Sequence, residues 1–236
     1  MLTLTAACVV VAVACAVHGA VGFGMNLLAV PVLAVLDPAL VPGPAVAAGL
    51  VLSVLIVARE PAPVDRRLGW AVVGLVPGNA LALVVLATVP VSALAVLTGV
   101  LVLVAVAASA VRLDLSPDRG SLFGAGTASG FLATAAAIGG PPLALVYARS
   151  SGPRLRSNLS AFFVVTAATS LVALAVTGHF GAEAWRSSAV LVPGVLVGFL
   201  ASGPIRGFVD RGRTRPAVLI LSAVAGVVAI VQGLLG

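Results

Sequence analysis

Two short segments rich in glycine and proline interrupt the longest hydrophobic stretches of this sequence. The first is Gly22-Phe23-Gly24-Met25-Asn26, and the second is Ile138-Gly139-Gly140-Pro141-Pro142. Where a helix restarts after such an interruption, it offers unpaired backbone N–H groups and the positive end of its dipole, which together bind anions. Glycine lets a ligand approach the backbone closely. We therefore expect the two segments to hold a small anion, with close helix packing at the glycines as the alternative.

Polar side chains near the two segments are candidates for lining such a site. Asn26 comes first, because it follows the first interruption directly in an apolar setting. Hydroxyl groups inside hydrophobic helices usually bond back to their own backbone. His18 is a candidate for contacting an anion or relaying protons, although a neutral histidine bonded to a carbonyl is the more ordinary arrangement. The other candidates are Ser53, Thr134, Asn158, Ser160 and Thr166.

Composition identifies the class of protein that must position these residues. Of 236 residues, 61% are hydrophobic and 8% are charged, whereas a soluble domain has about 25% charged residues. All thirteen basic residues are arginines in short connections, which suits lipid headgroups rather than a nucleic acid. The sequence therefore predicts an all-α integral membrane protein that lies in the lipid bilayer, has no soluble domain and binds no nucleic acid.

Two of the eight apolar runs are too long for one untilted crossing of about 20 residues, and these two contain the interruptions. They also correspond in position, since Gly24 precedes Gly139 by 115 residues and Trp70 precedes Trp185 by the same interval. We therefore predict two repeats, residues 1–116 and 117–236. Broken hydrophobic segments at matching places in two halves indicate a transporter binding site. The runs are 3–36, 44–58, 69–88, 91–111, 121–148, 158–178, 186–205 and 217–235.

The arginines favour one topology. If every run crosses once, seven arginines lie on one side and six on the other, contrary to the positive-inside rule. If runs 3–36 and 121–148 are re-entrant, twelve arginines share the cytoplasmic side and only Arg186 lies opposite. Each half then has a broken, re-entrant helix pair and three crossings, the repeats are inverted, and both termini are extracytoplasmic. The alternative is that each long run is one tilted, kinked helix.

Missing residue types narrow the function. No Asp or Glu lies within an apolar run, whereas proton-coupled pumps commonly use intramembrane acidic residues. The chain has no GxxxxGK[ST] motif for ATP and, within reach of the bilayer, no pair of histidines or carboxylates at metal or acid–base spacing. We expect no enzyme activity, no cofactor and no metal. The alternative to an anion uniporter or exchanger is a membrane accessory or sensor subunit that transports nothing.

The arrangement resembles the sulfite exporter TauE/SafE family over essentially the whole chain. The resemblance implies a permease of the bacterial inner membrane, built of two repeated halves, that exports sulfite or organosulfonates such as sulfoacetate by alternating access. Uptake of the same anions is the alternative direction. The family's usual three glycines are thinned here in both halves. The resemblance rests on Gly22-Phe23-Gly24, Pro31, residues 61–68, Trp70, Pro77-Gly78, residues 138–143, residues 154–160 and residues 207–211.

Overall fold

The computed structural model describes residues 2–60, 62–89, 94–110, 115–147, 150, 152–209, 227, 230 and 231. These residues form α-helices, one short 3-10 helix and the connections between them, with no strand in this part of the chain, which confirms the all-α prediction. Most of the run 217–235 lies outside the described residues. The helices are α1 (Leu2–Val21), α2 (Met25–Leu36), the 3-10 helix (Pro38–Leu40), α3 (Gly43–Arg59), α4 (Leu68–Thr88), α5 (Leu94–Ala110), α6 (Arg119–Ala136), α7 (Gly140–Val146), α8 (Gly152–Val176) and α9 (Ala182–Val209).

Within the described part, four helices have the length and hydropathy to cross a membrane: Thr3–Val21, Leu68–Thr88, Pro153–Val176 and Ala182–Pro204. Their outer faces carry large apolar side chains that are well exposed, such as Val76 at 72%, Val176 at 76% and Leu200 at 72%. A soluble monomer rarely exposes so much contiguous apolar surface. These side chains therefore face lipid, and the chain is a multi-pass membrane protein.

Both long hydrophobic runs are broken, as the glycines predicted. Residues 22–24 separate α1 from α2, and residues 137–139 separate α6 from α7. Pro31 does not contribute to either break, because it lies inside α2, which continues to Leu36. The lost N–H of one proline is tolerated in a membrane helix, where neighbouring groups satisfy the freed carbonyl.

Glycines bring two pairs of parallel helices into close contact. On α4, a Cβ at Gly74 or Gly78 would overlap the α6 backbone at Phe123 or Thr127. On α9, Gly194 faces the α1 backbone at Cys8, and Gly198 faces it at Ala12. Residue numbers rise together in both pairs, so α4 runs parallel to α6 and α1 runs parallel to α9. Small residues allow membrane helices to approach each other this closely. The glycines of α4 and α9 therefore serve close helix packing.

The connection between α3 and α4 lies against the beginning of α8 and the end of α7. Ser157 Oγ donates to the Ala62 carbonyl at 2.7 Å, and the Asp65 N–H donates to Asn158 Oδ1 at 2.8 Å. Pro117, just before α6, and Ser150, after α7, line the same surface cavity beside Asp65. The α6–α7 unit thus begins and ends near one connection. At the far end of the bundle, the 3-10 helix packs against α9.

Candidate functional site

The two breaks meet around one cavity. Gly24, Met25, Asn26 and Leu27 line it from the first break, and residues 137–141 line it from the second. Its volume is about 60 Å³. A water molecule needs roughly 10–15 Å³ by this measure, so the cavity accommodates a ligand of about four to six non-hydrogen atoms. The middles of α3 and α8 complete the wall with Val46, Gly49, Ser53, Phe163, Thr166 and Ala167.

Left-handed backbone makes both breaks possible. In the first break, Gly22 and Gly24 have φ values of 103° and 105°, which glycine adopts without steric cost. In the second, Ala137 has φ 62° and is the one non-glycine residue with positive φ in the described part of the chain. The left-handed conformation costs an L-residue about 1–2 kcal/mol. The Ala137 N–H nevertheless donates to the Ala133 carbonyl at 2.8 Å, so this backbone group is hydrogen-bonded at the end of α6.

The helices that restart after the breaks differ in the donors they offer. The first intrahelical bond of α2 runs from the Leu28 N–H to the Gly24 carbonyl at 3.2 Å, so the N–H groups of Asn26 and Leu27 precede the ladder. In α7, Pro141 and Pro142 occupy the first turn and have no N–H. Both helix starts line the cavity, but the backbone donors come mainly from α2.

Asn26 joins the two breaks. Its Nδ2 donates to the Ala137 carbonyl at 2.7 Å, across 111 residues of sequence. Its Oδ1 is buried and has no hydrogen-bond partner among the described residues. Buried polar atoms without partners are rare and require an explanation, which a bound ligand would supply.

His18 is also in the wall of the cavity and is only 6% exposed. Its ring is not bonded to a carbonyl, contrary to the ordinary arrangement considered above. Instead, Nδ1 accepts from the Met25 N–H at 3.4 Å, and the ring meets Phe163 edge-on with centroids 5.7 Å apart. Nε2 is buried without a partner among the described residues. His18 is thus a second residue of the cavity wall that has an unpaired polar atom.

The hydroxyl groups in the cavity wall bond to their own helices, as expected for such residues. Ser53 Oγ donates to the Gly49 carbonyl at 2.7 Å, and Thr166 Oγ1 donates to the Phe162 carbonyl at 2.9 Å. Each oxygen keeps its lone pairs available as acceptors. Among the residues that line the cavity, His18 alone is titratable, and none is an arginine or a carboxylate.

Of the residues selected from sequence, the structure brings His18, Gly24, Asn26, Ser53, Gly139, Gly140, Pro141 and Thr166 to the cavity wall. The lining does not include Gly22, Phe23, Thr134, Asn158 or Ser160. Gly22 faces Arg156, and Asn158 lines the surface cavity beside Asp65. Thr134 Oγ1 is 3.0 Å from Asn79 Oδ1 and 2.8 Å from Ser170 Oγ. Ser160 is fully buried elsewhere in α8.

A buried ion pair at the end of α1 was missed by the sequence reasoning. Arg156 Nε lies 3.2 Å from Glu60 Oε1, and both side chains are under 10% exposed. Arg156 Nη1 also donates to the Ala20 carbonyl at 3.3 Å, while Arg59 Nη2 donates to the Gly19 carbonyl at 2.9 Å. The only signal in the sequence was their position in the predicted topology. Arg59 and Glu60 follow one apolar run, Arg156 precedes another, and both connections were predicted to lie on the same side of the membrane.

Two guanidinium groups therefore hold the last carbonyls of α1, directly before the first break. Cations are favourable there because the C-terminal carbonyls carry the negative end of the helix dipole. Arg59 also reaches α9, where Nη1 is 2.8 Å from Ser202 Oγ and the guanidinium lies 4.3 Å from the centre of the Phe199 ring. This cluster fixes the end of α1 to α3, α8 and α9.

A protein-family comparison agrees with this architecture. The family model described as "Sulfite exporter TauE/SafE" matches residues 7–229, nearly the whole chain. Among curated proteins and solved structures, none matches this chain. The family is one of transporters rather than enzymes, in keeping with a multi-pass helical bundle. The chain belongs to the sulfite exporter TauE/SafE family.

Proposed function

We propose that this protein is a permease that carries a small anion out of the cytoplasm by alternating access. The anion is sulfite or an organosulfonate such as sulfoacetate, and it binds in the cavity between the two breaks. One observation carries the proposal: in a member of a sulfite exporter family, both breaks line a single cavity, and two of its lining residues, His18 and Asn26, each have a buried polar atom without a partner among the described residues. The cavity volume of about 60 Å³ favours sulfite, with one sulfur and three oxygens, over the larger sulfoacetate.

The electrostatics of the site suit an anion that is bound briefly and released. The backbone N–H groups of Asn26 and Leu27 and the positive end of α2 attract negative charge. Among the described residues, no arginine lines the cavity, so none of them traps the anion with a full countercharge. An inside-negative membrane potential favours export by about 2.3 kcal/mol per charge per 100 mV.

We also infer that α1–α2 and α6–α7 are re-entrant units of two inverted repeats, residues 1–116 and 117–236. Two observations support this. Pro117 and Ser150, at the two ends of the α6–α7 unit, line one surface cavity. The sequence interval of 115–116 residues makes α6 the counterpart of α1 and α9 the counterpart of α4, and α1 packs along α9 just as α4 packs along α6. The inner membrane with both termini extracytoplasmic is the matching placement.

Single-cysteine labelling tests this topology. In a background with Cys8 and Cys15 replaced, Val64→Cys and Arg154→Cys should react only with a reagent supplied from the cytoplasm. Glu183→Cys, at the start of α9, should react only from outside and serves as the opposite-side control. All three positions are exposed in the structure. Labelling of Val64→Cys and Arg154→Cys from different sides would contradict the re-entrant arrangement.

Flux measurements test transport itself. Proteoliposomes that hold the purified protein should release sulfite, at a rate that grows as the interior is made more negative. Gly140→Val should abolish this flux, because a Cβ there has room against Phe23 and Phe163 and adds bulk to the cavity wall. At Gly139, by contrast, a Cβ would lie 3.0 Å from the Ser129 carbonyl oxygen and disturb the fold.

Gly124→Val is the matched control for the flux experiment, because a Cβ at Gly124 meets nothing within 4 Å. It should transport normally. Normal flux through Gly140→Val would exclude this cavity as the pathway. No flux of sulfite or sulfoacetate through the wild-type protein would favour a non-transporting accessory subunit, and inward flux under the same potential would favour uptake.

A further inference from the structure

We propose that the cavity selects singly charged anions that carry their own hydrogen-bond donor, because two of the residues that line it each have a buried side-chain atom without a partner among the described residues: an acceptor, Asn26 Oδ1, and a donor, His18 Nε2. This inference rests on the proposed function and specifies which anions it applies to. A bare oxyanion has acceptors only, so it would leave Asn26 Oδ1 without a partner.

The orientation of the Asn26 amide is fixed by its neighbour. The Ala137 carbonyl lies 2.7 Å from Nδ2, and a carbonyl oxygen can only accept. The nitrogen of the amide must therefore face Ala137, and a flipped amide would set two oxygens against each other. Oδ1 is consequently the amide atom that lacks a hydrogen bond, and it is buried with no partner among the described residues. A ligand that fills the cavity completes the bonding of this oxygen only by donating to it.

The protonation of His18 follows from the same kind of argument. The Met25 N–H, 3.4 Å from Nδ1, can only donate. Nδ1 must then hold a lone pair, and the single proton of the neutral ring is on Nε2. A doubly protonated ring would direct two N–H groups at each other. His18 therefore offers a neutral N–H donor in the wall of the cavity, where it can bind an anionic oxygen.

The remaining side chains add acceptors rather than charge. The hydroxyl groups of Ser53 and Thr166 donate hydrogen bonds to the Gly49 and Phe162 carbonyls. Each hydroxyl oxygen therefore has only its lone pairs left, which accept hydrogen bonds. In the part of the chain that the structure describes, no arginine lines the cavity. A second negative charge would therefore be placed in a low-dielectric site without a countercharge, which is costly. The site fits a monoanion with an O–H or N–H, such as the hydroxyl form of hydrogen sulfite.

Sulfamate and methanesulfonate form a matched pair of probes. Both are monoanions of nearly equal size and shape, and they differ in an amino group, which donates, against a methyl group, which does not. Uptake into proteoliposomes of the wild-type protein should be faster for sulfamate by about tenfold or more, since a site that leaves a buried polar group unpaired rejects the analogue. Equal rates for the two probes would overturn the inference.

Asn26→Leu should bring the ratio of the two rates close to one, because it removes the acceptor. Asn79→Leu is the control: Asn79 is a buried asparagine on α4 outside the cavity lining, so its loss should leave the ratio unchanged. An unchanged ratio in Asn26→Leu would overturn the inference. If that variant does not fold, the wild-type ratio still decides.

The same experiment separates this inference from the proposed function. If sulfite moves and the probe ratio is near one, the permease stands and the selectivity is wrong. If neither sulfite nor either probe moves, the proposed function fails, and the selectivity fails with it.

Discussion

The buried ion pair between Glu60 and Arg156 should make the stability of this protein sensitive to the loss of either partner. The Nε–Oε1 distance is 3.2 Å, and the two side chains are 9% and 5% exposed. Glu60→Gln keeps the shape of the side chain and one acceptor, but it removes a negative charge from beside the buried Arg156 guanidinium. Removing one partner of a buried pair costs about 3–5 kcal/mol.

The lower end of that range applies to Glu60→Gln. The Ala20 carbonyl still accepts from Arg156 Nη1 at 3.3 Å, and the negative end of α1 still favours a cation there. A loss of about 3 kcal/mol should lower the melting temperature by on the order of 10 °C in a protein of this size. Thermal unfolding in detergent, followed by the reactivity of the buried Cys15 thiol, measures the shift.

Two further variants make the test decisive. Glu183→Gln removes the carboxylate of an exposed pair, Glu183–Arg186, whose side chains are 84% and 80% exposed; exposed pairs contribute little, so no measurable shift is expected. The double variant Glu60→Gln/Arg156→Gln should melt above either single variant, because it removes both charges of the pair together. Glu183→Gln should have the melting temperature of the wild type. If Glu60→Gln has it too, the claim that burial makes the loss of the Glu60 charge costly is refuted.

Three other predictions concern packing, strain and pH. Gly78→Ala should prevent folding, as its Cβ would overlap the α6 backbone, whereas Gly124→Ala, which meets nothing within 4 Å, should be recovered from membranes like the wild type. Ala137→Gly should raise stability by up to about 1 kcal/mol in thermal unfolding, because glycine removes the cost of φ 62°; a lowered melting point would show that the break is not strained. The side-chain hydrogen bond from Arg67 holds the pKa of Asp65 below its usual value, so this contact stabilises the protein above about pH 4 and the contribution is lost as pH falls through the folded pKa. The stability difference between wild type and Asp65→Asn should therefore shrink in acid, and a constant difference would contradict it.

The helical class and the two breaks could be predicted from sequence because the bilayer leaves few choices. A chain with so little charge must bury its backbone polar groups in helices, and glycine and proline mark where those helices stop. The first break falls at residues 22–24, as the glycines indicated. The second begins at Ala137, before its glycines, because an alanine adopts the left-handed conformation there. Alanine gives no sequence signal for such a turn.

The residues that line the cavity could be predicted only where they lie within or beside the breaks. Asn158 and Ser160 were candidates by type and position, yet neither lines the cavity. In a soluble helix, apolar periodicity shows which face points inward. In a membrane helix, both the lipid-facing and the protein-facing sides are apolar, so the sequence does not show which polar residue faces the site.

By itself, then, the sequence determined the membrane class, the presence of a break in each long hydrophobic run, and the family, because these follow from local composition and from matching motifs. The tertiary structure decided which polar atoms form hydrogen bonds or ion pairs and which have no partner among the described residues. Asn26 meets Ala137 across 111 residues, and Glu60 meets Arg156 across 96. Such contacts depend on how helices pack against each other in three dimensions. The unpaired atoms of Asn26 and His18, two residues of the cavity wall, exist only as a consequence of that packing.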